Sequence, residues 1–146
     1  MIEVEVLGGA LAPGAPSQAE IELLCAAAAA STGIEDGHVA IEFVAEQRIA
    51  ALNGEHRERP RPTDVLSFPI DGVGPLAHGA GDADRTQAGG ERVPRELGDI
   101  IICPAHTVDL REAIVHGMLH LLGMDHETDG GEMLALQDRL LAAPRR

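Results

Sequence analysis

The sequence contains no lysine, no tryptophan and no tyrosine, and its only aromatic residues besides histidine are Phe43 and Phe68. Proteins that bind single-stranded nucleic acid without sequence preference stack its bases on aromatic side chains, so a broad stacking surface is excluded. Eleven basic residues, all arginine, stand against 24 acidic ones, and the net charge of -13 disfavours non-specific binding to a polyanion. An RNA partner would therefore be bound locally or through another molecule.

Long apolar runs are also missing. No stretch approaches the roughly 20 apolar residues that span a bilayer. The amino-terminal MIEVEVLGGA has no basic segment ahead of an apolar one, as a signal peptide would have. These absences predict a cytoplasmic protein that does not enter a membrane. Cys25 and Cys103 lie far apart in the sequence, which predicts buried free thiols rather than a disulfide or a metal-binding pair.

Residues 1–146 have the length and composition of one globular domain, with 45% hydrophobic residues. Alternating apolar and acidic residues predict a first strand at 2–7, and a helix capped by Ser17 is expected to follow and to end near Thr32. Because that helix separates the first strand from the second, the two strands should be parallel neighbours. Further strands are predicted at 38–44, 65–68 and 97–103, and further helices at about 46–55, 107–122 and 132–141.

Residues 71–94 are rich in glycine and show no apolar periodicity. Such a segment predicts a long, flexible surface loop. A lid over a site and mobility without function both remain open for it.

The segment HGMLHLLGMDH, residues 116–126, carries the pattern of a metal-binding helix. Residues four apart share one face of a helix, so His116 and His120 should present their imidazoles to one point. Gly123 can end the helix and let the chain turn, so that His126 supplies a third ligand. Three neutral imidazoles and an open fourth position are the usual catalytic arrangement of zinc.

Gly117 departs from the pattern of zinc proteases, which carry a glutamate there to take a proton from water. Without that base, peptide hydrolysis would lose a factor of about 10² to 10⁴. A phosphodiester is itself anionic and would be repelled by a carboxylate at this place. In RNA the 2′-hydroxyl is also an internal nucleophile, which hydroxide generated at the zinc could deprotonate. The glycine therefore favours phosphate chemistry over peptide chemistry.

Phosphate chemistry needs positive charge near the developing oxyanion, and the segment HRERPRP is the densest basic patch of this acidic chain. It contains Arg57, Arg59 and Arg61, which are candidates for binding RNA. An ordinary solvated loop whose arginines pair with nearby carboxylates explains the segment equally well.

Together, LNGEHRERPRPTDVLSFP (52–69), LGDIII (97–102) and HGMLHLLGMDH (116–126) resemble the YbeY family of bacterial rRNA-maturation endoribonucleases. The resemblance implies a zinc-dependent, single-strand-specific endoribonuclease that acts in 3′-end maturation of 16S rRNA and in ribosome quality control, with the small subunit or assembly factors as partners. It also implies an α+β fold, in which a small mixed four-stranded sheet is packed by four to five helices, one of them a zincin-like metal helix.

The three zinc ligands of the family fall on His116, His120 and His126, and its arginine falls on Arg57. This match favours a catalytic or phosphate-binding role for Arg57. Asp125 also matches the family pattern, and it could orient an imidazole, serve as the missing base or simply occupy a surface turn. His56, Pro60 and Met124 replace residues that the family usually has, so details of RNA binding do not carry over.

Two further hypotheses remain open at this level. The chain could be a ribosome-assembly factor in which zinc is structural and cleavage belongs to a partner. It could also be a metal-dependent hydrolase of another substrate that shares the ligand set.

Overall fold

The computed structural model describes residues 2–57, 65–70, 96–124 and 130–142. The predicted loop at 71–94 lies outside these residues. In chain order the elements are β1 (Ile2–Leu7), α1 (Gln18–Ser31), β2 (Gly37–Phe43), α2 (Glu46–Arg57), β3 (Val65–Pro69), β4 (Glu96–Ile102), α3 (Leu110–Leu121) and α4 (Glu132–Leu141). Short 3-10 helices at Gly9–Leu11 and Pro104–His106 complete the description.

The four strands form one mixed sheet in the order β1-β2-β4-β3. β1, β2 and β4 are parallel, and β3 pairs antiparallel with β4 at the edge. The predicted parallel pairing of the first two strands is confirmed, as is the α+β fold with a small mixed sheet. None of the helices in the described segments is long and apolar enough to cross a membrane.

Local capping sets the helix boundaries. Ser17 accepts a hydrogen bond from the backbone N–H of Glu20 and begins α1 where the sequence predicted. α3 begins at Leu110 rather than at the predicted residue 107, because the Asp109 carboxylate accepts from the N–H groups of Arg111 and Glu112 and so acts as its N-cap.

The sheet has two different faces. One face packs against α1 and α3, on which α4 packs in turn, and contributes Val39, Ile41, Ile100 and Ile102 to the larger core. On the other face, α2 covers the end of the sheet nearest β3 in a smaller cluster: Val44, Ile49, Leu52, Leu66, Ile101 and Cys103. The edge strand β3 therefore has packing partners on both faces.

Titratable groups occupy the part of the second face near β1 and β2. His38 Nδ1 lies 2.6 Å from Glu96 Oε1, and this hydrogen bond raises the pKa of His38. Partial burial, followed by the charge of Glu96, raises the pKa of Asp99. His38, Glu96 and Asp99 thus lie on the face of the sheet opposite α3.

Both cysteines are free and buried, as predicted. Burial raises the pKa of the Cys25 thiol to about 12, so it is not a reactive thiolate at neutral pH.

A buried ion pair joins three helices. Arg111 at the start of α3 donates its Nε–H to Glu20 Oε2 on α1 at 2.7 Å, and its Nη1 donates to the backbone oxygen of Leu141 on α4 at 2.6 Å. The side chains of Arg111 and Glu20 are only 8% and 10% exposed. Because a buried charge is costly without partners, the Arg111 guanidinium holds the first turn of α3 against both neighbouring helices.

Removing one member of this pair is expected to destabilise the fold. Glu20→Leu should lower the free energy of unfolding by about 3 kcal/mol, because it leaves a buried guanidinium without its carboxylate. Urea denaturation of the metal-free protein measures the effect. The double variant Glu20→Leu, Arg111→Met should recover much of the loss, whereas a single variant as stable as the parent would show that the pair does not constrain the fold.

Candidate metal centre

His116 and His120 lie one turn apart on α3, and the structure brings their rings together. The two Nε2 atoms are 3.2 Å apart, and the rings meet edge to face with centroids separated by 4.7 Å. Most of the surrounding helix is buried, whereas the two imidazoles are partly exposed. They therefore form an accessible pair on an otherwise buried helix.

The second nitrogen of His116 is held by the neighbouring helix. Nδ1 of His116 lies 2.8 Å from Oε1 of Gln137 on α4. An amide oxygen can only accept a hydrogen bond, so Nδ1 carries the proton and Nε2 is left with its lone pair. Gln137 is only 6% exposed, so water competes little for this contact.

The second nitrogen of His120 is held by the end of α3 itself. Gly123 has a φ of 96° and donates its N–H to the carbonyl oxygen of His120, while Met124 donates to the carbonyl oxygen of Leu119. These two bonds form a Schellman motif, in which a left-handed residue ends the helix. The turn places the carbonyl oxygen of Met124 3.0 Å from His120 Nδ1, so this ring also keeps its Nε2 lone pair.

The donor set fits a metal ion. Two nitrogens bound tetrahedrally to zinc at about 2.0 to 2.1 Å lie about 3.3 Å apart, close to the observed 3.2 Å. Both Nδ1 atoms lie against protein oxygens, so the two Nε2 atoms are the nitrogens placed to bind a shared ion. Imidazoles whose other nitrogen donates to an oxygen are typical metal ligands.

Of the other predicted site residues, the structure describes only the backbone of Arg57. His126, Asp125, Arg59 and Arg61 fall outside the described residues. Arg57 is the last residue of α2, and its side chain also lies outside the description. Within the described segments, no three histidine, cysteine or acidic side chains come together as a metal site.

Gly117 faces the sheet. A Cβ atom built there would lie 2.6 Å from Ile100 Cγ2 and 3.2 Å from Val65 Cγ2. The Ser67 hydroxyl donates to the Gly117 carbonyl oxygen at 2.9 Å, which joins α3 to β3 on the same side. The glycine therefore lets the helix approach β3 and β4, and a glutamate at this position would not fit without moving them.

The sequence did not identify Gln137 or the carbonyl of Met124 as partners of the histidines. The sequence did offer one signal for Gln137. It lies four residues after Met133, so the two share one face of α4, and the structure shows that this face is buried. A polar residue within an apolar stripe must find a hydrogen-bond partner. Nothing in the sequence indicated that this partner is His116.

The fold and the histidine pair define an α+β protein whose buried helix presents two imidazoles to a common point, as metal-dependent hydrolases do. A comparison with protein families matches residues 15–144 to the family described as Endoribonuclease YbeY. The chain therefore belongs to this family. The predicted resemblance is confirmed, and so, at the level of the family, is the predicted enzyme class of nuclease.

Individual relatives agree with this assignment. The chain is 37% identical over 139 residues to Endoribonuclease YbeY of Macrococcus caseolyticus, covering 85% of this chain and 83% of the relative. It is 36% identical over 137 residues to the protein of the same name in Geobacillus kaustophilus, covering 84% of this chain and 83% of the relative. The solution structure of TM1509 from Thermotoga maritima shares the fold, with a TM-score of 0.50, 24% identity and coverage of 94% of this chain and 86% of that one.

Gly117→Ala is expected to lower the free energy of unfolding by about 1 kcal/mol. Overpacking a tight contact costs about 1 to 3 kcal/mol, and this should outweigh the ~1 kcal/mol that alanine gains over glycine in a helix. Gly117→Glu, which restores the glutamate of zinc proteases, should lose more stability and gain no peptide cleavage. Urea denaturation and a peptide-hydrolysis assay measure these effects.

Gly9→Ala is the control, because a Cβ there meets no atom within 4 Å. It should leave stability nearly unchanged. If Gly117→Ala were as stable as the parent protein, the close packing of α3 on the sheet would not be what requires glycine.

Proposed function

We propose that this protein is a zinc-dependent, single-strand-specific endoribonuclease that acts in the cytoplasm, in 3′-end maturation of 16S rRNA and in ribosome quality control. The observation that carries the proposal is the pair of Nε2 atoms 3.2 Å apart on α3, in a chain that belongs to a family of endoribonucleases. Two imidazoles whose Nε2 atoms point to one position support a metal-dependent reaction.

In this proposal, His116, His120 and His126 hold one zinc ion. When bound, zinc supplies positive charge to phosphate oxygens and makes hydroxide available near neutral pH. Gln137 and the carbonyl of Met124 keep both described imidazoles oriented toward the ion.

Arg57 is proposed to bind the scissile phosphate and to stabilise the charge that develops on its oxygens. The placement of β3 supports this role. Leu66 of β3 belongs to the cluster that α2 forms, while Ser67 bonds to Gly117 on α3. The helix that ends at Arg57 and the helix that carries the histidines thus pack on the same edge strand.

The proton acceptor is proposed to lie outside α3. Gly117 is packed against Ile100 and offers no side chain to the site. Asp125, which precedes the third histidine, is the candidate acceptor for a proton from the attacking oxygen. In RNA the 2′-hydroxyl beside the scissile phosphate would serve as that attacking group: its oxygen bonds to phosphorus to give a 2′,3′-cyclic phosphate, the bond to the 5′-oxygen breaks, and that oxygen takes a proton from water.

A protein with a net charge of -13 is repelled by RNA at long range. We therefore propose that Arg57, Arg59 and Arg61 make local contacts with the single strand. Delivery to the 16S precursor would then depend on the small ribosomal subunit or on assembly factors.

Cleavage of a single-stranded RNA that contains the 3′ end of the 16S precursor tests the proposal. Zinc-loaded protein should cleave it, and His116→Ala should abolish cleavage because it removes a ligand. Arg57→Ala should lower the rate by about 10² to 10³, as loss of a charge-stabilising donor does. The same sequence in a duplex should be cleaved far more slowly.

His38→Ala is the matched control, since His38 pairs with Glu96 near β1 and β2, outside the cluster that α2 forms with β3, and should be dispensable for cleavage. An RNA with a 2′-deoxynucleotide at the cleaved position tests the internal nucleophile and should resist cleavage. Equal cleavage by the parent, His116→Ala and Arg57→Ala proteins would refute the proposal and indicate a contaminating nuclease.

A further inference from the structure

We propose that Gln137 is a positioning residue for the metal site, because its side-chain oxygen commits His116 to the tautomer that binds through Nε2. This inference rests on the proposed function, since it concerns the metal site of that reaction. The one contact that defines it is the 2.8 Å hydrogen bond between His116 Nδ1 and Gln137 Oε1.

In this hydrogen bond the Nδ1–H group of His116 donates to the side-chain oxygen of Gln137, which keeps the proton on Nδ1. Free imidazole exchanges its proton between the two nitrogens, so an unsupported His116 would spend part of its time with Nε2 protonated and unable to bind a metal. An acceptor fixed beside Nδ1 removes that state. Because Gln137 is only 6% exposed, a water molecule cannot readily take its place as the acceptor.

The framework of α3 and α4 keeps Gln137 in place. The two helices pair antiparallel, with Arg111 bonded to Leu141 at one end and His116 bonded to Gln137 further along. Leu141 lies one turn after Gln137 on α4. The buried guanidinium of Arg111 therefore anchors α4 one turn from the residue that orients His116.

Gln137 differs from the carboxylates that often support metal-binding histidines, because it is neutral. A carboxylate partner would add negative charge beside the metal, whereas an amide orients the ring without reducing the charge available to an anionic phosphate. The choice of glutamine over glutamate is thus consistent with a polyanionic substrate.

Zinc affinity separates an orienting role from a merely structural one. Zinc dissociation constants, measured by competition with a chelating dye, should be weakened about 10- to 100-fold by Gln137→Leu, which removes the acceptor. Gln137→Glu keeps an acceptor and should retain the affinity of the parent. Gln47→Leu alters an exposed glutamine on α2 and is the matched control for the change of side chain.

The tautomer of His116 gives a second readout that needs neither metal nor activity. Long-range ¹H–¹⁵N NMR of the metal-free protein at mildly alkaline pH should show His116 protonated on Nδ1 in the parent and in Gln137→Glu. Gln137→Leu should show a mixture of the two tautomers. If Gln137→Leu does not fold, the parent and Gln137→Glu still decide the question.

Two results would overturn the inference: a parent protein whose His116 is protonated mainly on Nε2, or a folded Gln137→Leu that binds zinc as tightly as the parent. Failure of the proposed function looks different. In that case the parent would bind zinc no better than His116→Ala, whatever residue stands at position 137.

Discussion

The site depends on two hydrogen bonds that leave the Nε2 lone pairs of His116 and His120 facing each other. Each bond is made by a different part of the fold: Gln137 belongs to the antiparallel partner helix, and the carbonyl of Met124 belongs to the turn that ends α3. The first bond requires α4 to be held against α3, which Arg111 does from a buried position. The second requires the left-handed backbone of Gly123. The geometry of a small site thus rests on the packing of three helices and on one glycine turn.

The close contact of α3 with the sheet gives the glycine beside the first histidine a structural cause. Gly117 is packed against Ile100, and a Cβ atom at this position would overlap the Ile100 side chain. The glycine therefore does more than leave out a catalytic glutamate. It also lets α3 lie closer to the sheet than a larger residue would permit. The same contact joins the histidine helix to β3, whose other face packs with the helix that ends at Arg57.

The sequence predicted what local rules determine. The sheet and helices, the capping of α1 by Ser17 and the pairing of two histidines one turn apart follow from periodicity, capping and helix geometry. Contacts between distant residues could not be predicted in this way. Glu20 pairs with Arg111, 91 residues later in the chain, and nothing local to either residue indicates that contact. Gln137 meets His116 only because α3 and α4 pack side by side, and periodicity gives the buried face of each helix but not its partner.

The most direct test of the account is the coordination of zinc in the loaded protein, measured by X-ray absorption spectroscopy. With one zinc ion bound per chain, we expect a shell of nitrogen or oxygen atoms at about 2.0 to 2.1 Å and the outer-shell scattering of imidazole rings. His116→Ala should weaken that imidazole signal. A sulfur shell at about 2.3 Å, or a shell without imidazole scattering, would contradict the claim that the histidines of α3 bind the metal.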